Sequence, residues 1–377
     1  MMDTIEKLNI GIAGVCGRGA AYKAICESMP GVRVHAVCDT NPDALAEAAG
    51  SDGVILRYGR FDDMLGAPGL DAVIVGTPMH LHVPQSIAAL QHGLHVLSEV
   101  AAAVSMEECE SLVRTACGSK GVYMLAENYT HMLPNAMIDE MVRRGMFGTP
   151  YYAEAEYLHE IREYAVKTPW RRKWQLGIDG ITYASHSLGP ILRWMRGDRI
   201  TRVCCEGTGT RHNDAEGNPF CQASSTMLGK TANGALVKVR VDLLSDRPEA
   251  ATNYQLQGTD GAYESARADG ERNRVWLRRL SADPREWMDL EKLKDEFLPD
   301  RWRNHHDRAM TTGHGGSDYF VILEFLDRII RPPASPVGIH EAMDMTLPGL
   351  CSQESIRRDG EWIEVPDSRG WVTDDGQ

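Results

Sequence analysis

The sequence predicts an α/β protein of two domains: residues 1–125 on a parallel sheet flanked by helices, and 126–377 as an α/β domain with a largely antiparallel, open sheet. Three observations carry this prediction. Short apolar strands alternate with amphipathic helical stretches through the first 125 residues, the pattern of right-handed βαβ crossovers. The first strand runs directly into a glycine-rich turn. After residue 126 strands follow one another with polar turns between them, as in antiparallel sheets.

The elements read as follows. In the first domain Leu8–Val15, Val32–Cys38, Ala72–Gly76, Val96–Leu97 and Val122–Leu125 are strands. Gly19–Ser28, Pro42–Ala49, Val83–His92 and Met106–Gly118 are helices. In the second, Met137–Arg144, His186–Met195 and Asp318–Ile330 are helical. Tyr151–Tyr157, Arg202–Gly207, Ala223–Leu228, Ala235–Leu243, Tyr254–Gly258 and Val275–Arg278 alternate as strands, with a polar turn at Thr231–Gly234. Ser281–Thr312 is charged and reads as an irregular excursion or a subunit contact, and the last dozen residues as loosely held.

Composition narrows the function. A length of 377 residues exceeds one comfortable core, which agrees with two domains. The formal net charge of −13 argues against nucleic acid or an anionic membrane as partner. No apolar run reaches the ~20 residues of a membrane helix, and the first residues lack the basic start and apolar stretch of a signal peptide. The nine cysteines form no CxxC pair, so they read as reduced thiols of a cytoplasmic protein. His305-His306 lacks companions at ligand spacing, and no metal is assigned.

The turn after the first strand is Gly14-Val15-Cys16-Gly17-Arg18-Gly19, with a helix following at once. Glycines here permit a tight turn and close approach of backbone to a pyrophosphate resting on the helix N-terminus. Cys16 stands at the usual middle glycine. Asp39 lies 20 residues after Gly19, at the end of the second strand, where a carboxylate accepts the adenosine ribose hydroxyls. No arginine closely follows Asp39, and its charge would repel a 2′-phosphate. A Rossmann domain binding NAD rather than NADP is the expectation.

Beyond the turn, Thr77-Pro78-Met79-His80-Leu81-His82 and the run from Ala88 to Glu99 resemble the Gfo/Idh/MocA family of sugar and inositol dehydrogenases. That family ends this run in Glu-Lys-Pro, with the lysine at the nicotinamide and substrate hydroxyl. Here it reads Glu99-Val100-Ala101. The resemblance places Thr77, Pro78, His82, Glu99 and Asn128 at the cofactor. The second half is similar to glycoside hydrolase family 109 and related NAD-dependent glycosidases, including sulfoquinovosidases. The matching pieces are Glu127-Asn128-Tyr129-Thr130-His131, Trp170-Arg171-Arg172-Lys173-Trp174, Tyr183-Ala184-Ser185-His186-Ser187-Leu188-Gly189-Pro190, Leu256-Gln257-Gly258-Thr259-Asp260-Gly261 and Gly313-His314-Gly315-Gly316-Ser317-Asp318-Tyr319. It departs at His131, where those glycosidases have tyrosine, and at Ala184, where they have proline.

Removing a sugar hydride requires removal of the hydroxyl proton, a task suited to histidine or tyrosine. Tyr183 and His186, three apart, share a face if the helix starts near Tyr183. With His131 and His314 they are the candidate catalytic residues. Trp170 and Trp174 suit sugar rings, while Arg171, Arg172 and Lys173 suit carboxylates, phosphates or sulfonates. The expected function is redox-neutral glycoside hydrolysis: transient oxidation at C3, elimination, addition of water and return of the hydride. A sulfoquinovoside or uronide is the expected substrate class if the basic cluster faces the pocket. A sugar dehydrogenase and a non-catalytic nucleotide sensor are the alternatives. The resemblance also implies a homodimer or homotetramer.

Overall fold

The computed structural model describes residues 7–50, 54–221, 223–248, 250–268, 270–331 and 338–372. The chain divides into two compact units. The first joins Met1–Asn128 with Asp307–Met343 and Ser368–Gln377, and the second joins Tyr129–His306 with Asp344–Asp367. The first change of unit follows Asn128, and the sequence reading set its domain boundary at 125. The return of 307–343 and 368–377 to the first unit departs from the single block 126–377 expected there. Periodicity shows that Asp318–Ile330 is an amphipathic helix but not which sheet its apolar face will meet.

The first unit holds a sheet of six described strands, β1 (Leu8–Ala13), β2 (Val32–Cys38), β3 (Leu56–Tyr58), β4 (Ala72–Val75), β5 (His95–Ser98) and β6 (Tyr123–Leu125). Their order is β3-β2-β1-β4-β5-β6 and every pairing is parallel. All four residues of β4 are buried, as expected of a central strand covered by helices on both faces. The strand order reverses between β1 and β4, and the carboxyl ends of the strands there open the crevice in which such sheets bind ligands. β3 escaped the sequence reading because three residues, one of them Arg57, show no usable period.

The second unit holds β7 (Pro150–Leu158), β8 (Ile200–Gly207), β9 (Ser224–Thr231), β10 (Leu236–Asp242), β11 (Ala250–Gly258), β12 (Gly261–Glu264), β13 (Arg274–Leu277), β14 (Met288–Asp289) and β15 (Ile363–Glu364). The order is β14-β13-β12-β11-β7-β10-β9-β8-β15; β7 and β10 pair parallel and the other pairings are antiparallel. One face is buried: Ala153, Ala155 and Tyr157 point inward from β7 between the half-buried Tyr152, Glu154 and Glu156. The helix Ser185–Trp194 covers that face. Trp194 is fully buried, edge-on to Tyr254 and Tyr263 at 5.7 and 5.8 Å, and its indole N–H donates to the Asn135 carbonyl.

Two stretches correct the sequence reading. Ser281–Thr312 is not irregular: it contains a 3-10 turn at Leu290–Leu293, a short helix at Lys294–Phe297 and the helix Asp300–Ala309. The last has only two apolar residues, Trp302 and Ala309, seven apart and both buried, too narrow a stripe for periodicity to register. A helix also runs over Ile339–Arg357, which the Pro348-Gly349 pair disguises as a break. Of the last dozen residues, Ser368–Trp371 form a 3-10 turn with Ser368 fully buried, and 373–377 lie outside the described residues. All nine cysteines are free thiols. Among the described residues no helix is long and apolar enough to cross a membrane, and no group of three metal-ligating side chains gathers.

Candidate active site

In the first unit the glycine turn packs against the end of β4. Gly14 has φ +81°, and a Cβ there would lie 2.3 Å from the Gly76 carbonyl oxygen. A Cβ on Gly19 would lie 2.7 Å from the Gly14 carbonyl. These glycines therefore let the helix Arg18–Ser28 start hard against the sheet, with the exposed backbone of Cys16 and Gly17 at the crevice. Asp39 ends the adjacent strand, and its carboxylate accepts the Cys16 N–H at 2.9 Å and the Asn41 N–H at 3.1 Å. A tight backbone cradle, a helix N-terminus and a carboxylate at the next strand end suit a dinucleotide.

Other residues predicted at the cofactor serve the frame. The ring nitrogens of His82 lie 2.8 Å from the carbonyls of Ala101 and Thr77, and burial lowers the His82 pKa. The imidazole thus ties the segment after β5 to the segment after β4. The Thr77 hydroxyl donates to Gln85, and Pro78 precedes the 3-10 turn Met79–Leu81.

Arg18 and Glu99 meet. The Arg18 Nε donates to Glu99 at 2.7 Å, while its two terminal nitrogens fork onto Asp318 at 2.7 and 2.6 Å. The Tyr22 hydroxyl and the Val100 N–H complete Glu99. Asn128 donates to Asp318 at 2.8 Å, and His314 Nδ1 lies 3.0 Å from it. Burial acts to raise both carboxyl pKa values, but Arg18 and the remaining hydrogen bonds outweigh it. Glu99 ends below its ordinary value, and Asp318 well below. Sequence reading placed His314 in the site but missed Asp318, whose only signal was its position at the start of a helix after a Gly-His-Gly-Gly turn.

In the second unit His186 is buried in a cluster of phenols. It stacks on Tyr129 with centroids 4.0 Å apart, meets Tyr183 edge-on at 5.0 Å and lies 5.4 Å from Tyr157. The helix begins at Ser185, so Tyr183 belongs to the preceding turn, and that turn rather than a shared helical face brings the pair together. Pro190 fixes the backbone beneath His186. Having no N–H, it leaves the carbonyl of His186, four residues earlier, without its helical partner, and the Tyr254 hydroxyl donates there at 2.5 Å. Tyr254→Phe should therefore lower stability by about 1–3 kcal/mol, the cost of an unsatisfied buried carbonyl, as read from urea unfolding. His131 is buried in the turn Tyr129–His131, and its carbonyl accepts the Trp302 indole N–H. Tyr157 was not singled out from sequence, since nothing in its neighbourhood distinguishes it from core aromatics, and Tyr129 entered only within the matching piece from Glu127 to His131.

The basic cluster forms the short helix Trp170–Trp174, and its cations part company. Arg172 pairs with Asp214, donates to the Pro219 carbonyl and covers the Phe220 ring. Lys173 is exposed and lies over Trp174. Arg171 lies over Trp170 and bonds Gln175 and Thr168. It also lines a cavity with Tyr157, His159, Tyr164, Gln175 and Tyr183, and no carboxylate lies among the lining residues.

A family model described as an oxidoreductase family with NAD-binding Rossmann fold matches residues 8–127. A glycosyl hydrolase family 109 protein of Saccharopolyspora erythraea is 29% identical, over 98% of this chain and 85% of its own. In fold the chain resembles an NAD binding oxidoreductase from Klebsiella pneumoniae (TM-score 0.79, 16% identity, 96% of this chain and 99% of that one). It also resembles levoglucosan dehydrogenase in complex with NADH and L-sorbose (TM-score 0.78, 19% identity, 96% and 100%). The model of the glycosyl hydrolase 109 C-terminal domain matches residues 134–373, and the chain belongs to that family, as an NAD-dependent enzyme of the Gfo/Idh/MocA superfamily.

Proposed function

We propose that this protein hydrolyses a glycoside carrying an anionic substituent, such as a sulfoquinovoside or uronide, by transient oxidation of the sugar. The observation that supports this most is the cavity of the second unit. Arg171 and three phenols line it without a carboxylate, so it offers no acid pair for ordinary glycoside hydrolysis but does offer a partner for an anion. Among the described residues no carboxylate pairs with Arg171.

The glycine turn and Asp39 would hold the cofactor, and NAD when bound supplies a reversible acceptor for the hydride at C3 of the sugar. Tyr183 opens on the cavity and, with the buried His186 packed edge-on against its ring, takes the proton of the oxidised hydroxyl. The ketone acidifies the C2 proton, which the same acid–base pair removes. The aglycone leaves by elimination with one of these protons, water adds across the C1–C2 double bond, and the other proton returns to the C3 oxygen as the hydride returns to C3. Arg171 anchors the anionic substituent throughout, holding the ring in one orientation.

Two measurements bear on binding. Arg171→Gln should raise KM for an anionic glycoside by about tenfold or more, from loss of a charge-assisted bond of ~1.5–3 kcal/mol. It should leave a neutral glycoside of the same ring unaffected, and equal effects on both would reject the anion site. Calorimetry should show NAD binding ahead of NADP, and Asp39→Ala should weaken NAD by roughly tenfold or more while narrowing that preference. The proposal extends to assembly as a homodimer or homotetramer in the cytoplasm, the former checked by light scattering.

A further inference from the structure

The buried charges around Glu99 in the first unit do not cancel. Glu99 and Asp318 supply two carboxylates, and the single guanidinium of Arg18 bonds both. Tyr22 stays neutral, since burial and the neighbouring Glu99 push its phenol up. Val100, Ala101, Ala102 and Ala103, which follow Glu99, are apolar and buried and bring no cation. His314 Nδ1 lies 3.0 Å from Asp318, but its side chain is 40% exposed, so solvent screens what it contributes. Asp318 lies in the first turn of the helix Ser317–Ile330, whose dipole offsets a fraction of a charge. A surplus of negative charge is left where little water screens it.

Its place in the fold decides what it faces. Glu99 follows β5 directly, at the carboxyl edge of the parallel sheet. In a sheet of this order a dinucleotide crosses that edge at the reversal, one nucleoside over each half. Asp39, at the end of β2, marks the adenosine half, which leaves the nicotinamide half to β4–β6 and so to the side of Glu99. The nicotinamide ring is cationic when oxidised and neutral when reduced. We infer that the Arg18–Glu99–Asp318 set selects the redox state of the cofactor: its surplus negative charge makes the protein hold NAD⁺ more tightly than NADH. Bound NADH is then the better hydride donor, which favours return of the hydride to the ketone. The inference rests on NAD occupying this domain and does not depend on which glycoside is cleaved.

The test is the ratio of the Kd of NADH to that of NAD⁺, measured by calorimetry at pH 8 on the full chain. The unaltered protein should show a ratio of about ten or more, and Asp318→Asn or Glu99→Gln should each reduce it by about tenfold. Tenfold corresponds to about 30 mV in the potential of the bound two-electron couple. Asp39→Asn, at the adenosine end, should weaken both nucleotides together and leave the ratio in place. If Asp318→Asn does not fold, Glu99→Gln and the ratio in the unaltered protein still decide the matter. Tighter binding of NADH, or a ratio unmoved in a folded carboxylate variant, overturns the inference while NAD binding stands. Failure of both nucleotides to bind would remove the cofactor assignment and the inference with it.

Discussion

Given a chromogenic anionic glycoside and NAD in catalytic amount, the protein is expected to free the aglycone over many turnovers with no matching rise in NADH absorbance. His186→Ala and Tyr183→Phe should each slow that release by on the order of 10²-fold or more, the usual scale for a positioned acid or base. The expectation rests on how the pair is held. His186 is stacked on Tyr129 and edge-on to Tyr183, and the carbonyl that Pro190 leaves open is tied to Tyr254. A group so fixed loses little freedom on reaching the reaction geometry. In deuterated water the product should carry deuterium at C2, because that proton is exchanged at the ketone stage. NADH formed in step with substrate consumed, without aglycone, would establish a sugar dehydrogenase instead. Hydrolysis with the C2 proton retained would reject elimination and keep the glycosidase.

Features set by local chemistry were legible in the sequence. The parallel sheet followed from strand–helix alternation, and the tight turn with an aspartate beside it from three glycines and Asp39 at fixed spacing. Features set by distant partners were not. Arg18 reads as part of a phosphate-binding turn, yet its guanidinium turns inward to Asp318, 300 residues on, because the segment 307–343 returns to the first unit. Tyr129 and Tyr157 gain meaning only when the turn before His186 lays Tyr183 among them. The basic cluster shows both sides. Its composition raised the expectation of an anion, but only packing shows that Arg172 is held by Asp214 and that Arg171 reaches a cavity.

Arg18→Met should cost about 3–5 kcal/mol in unfolding free energy, the range for breaking a buried pair by removing one partner. The methionine keeps much of the stem's packing, but Glu99 and Asp318 lose the cation that bonds both, and Asp318 is completely buried. The pH dependence should change sign. With Arg18 present both carboxyl pKa values lie below their unfolded values of about 4, against the opposing effect of burial. A depressed pKa contributes stability that is fully present above the unfolded pKa and is lost as pH falls toward the folded one. The unaltered protein should therefore gain stability from this pair as pH rises from about 3 to 5. Without Arg18, burial dominates and the folded pKa values rise above the unfolded ones. Stability from these groups is then present only at low pH and is lost as pH rises through about 4 and beyond. Urea unfolding of the two proteins across that range should give slopes of opposite sign for this contribution, and the deficit of the variant should widen toward neutral pH. A deficit independent of pH would mean that Arg18 acts through packing alone, and that the carboxylates are held ionised by their remaining hydrogen bonds.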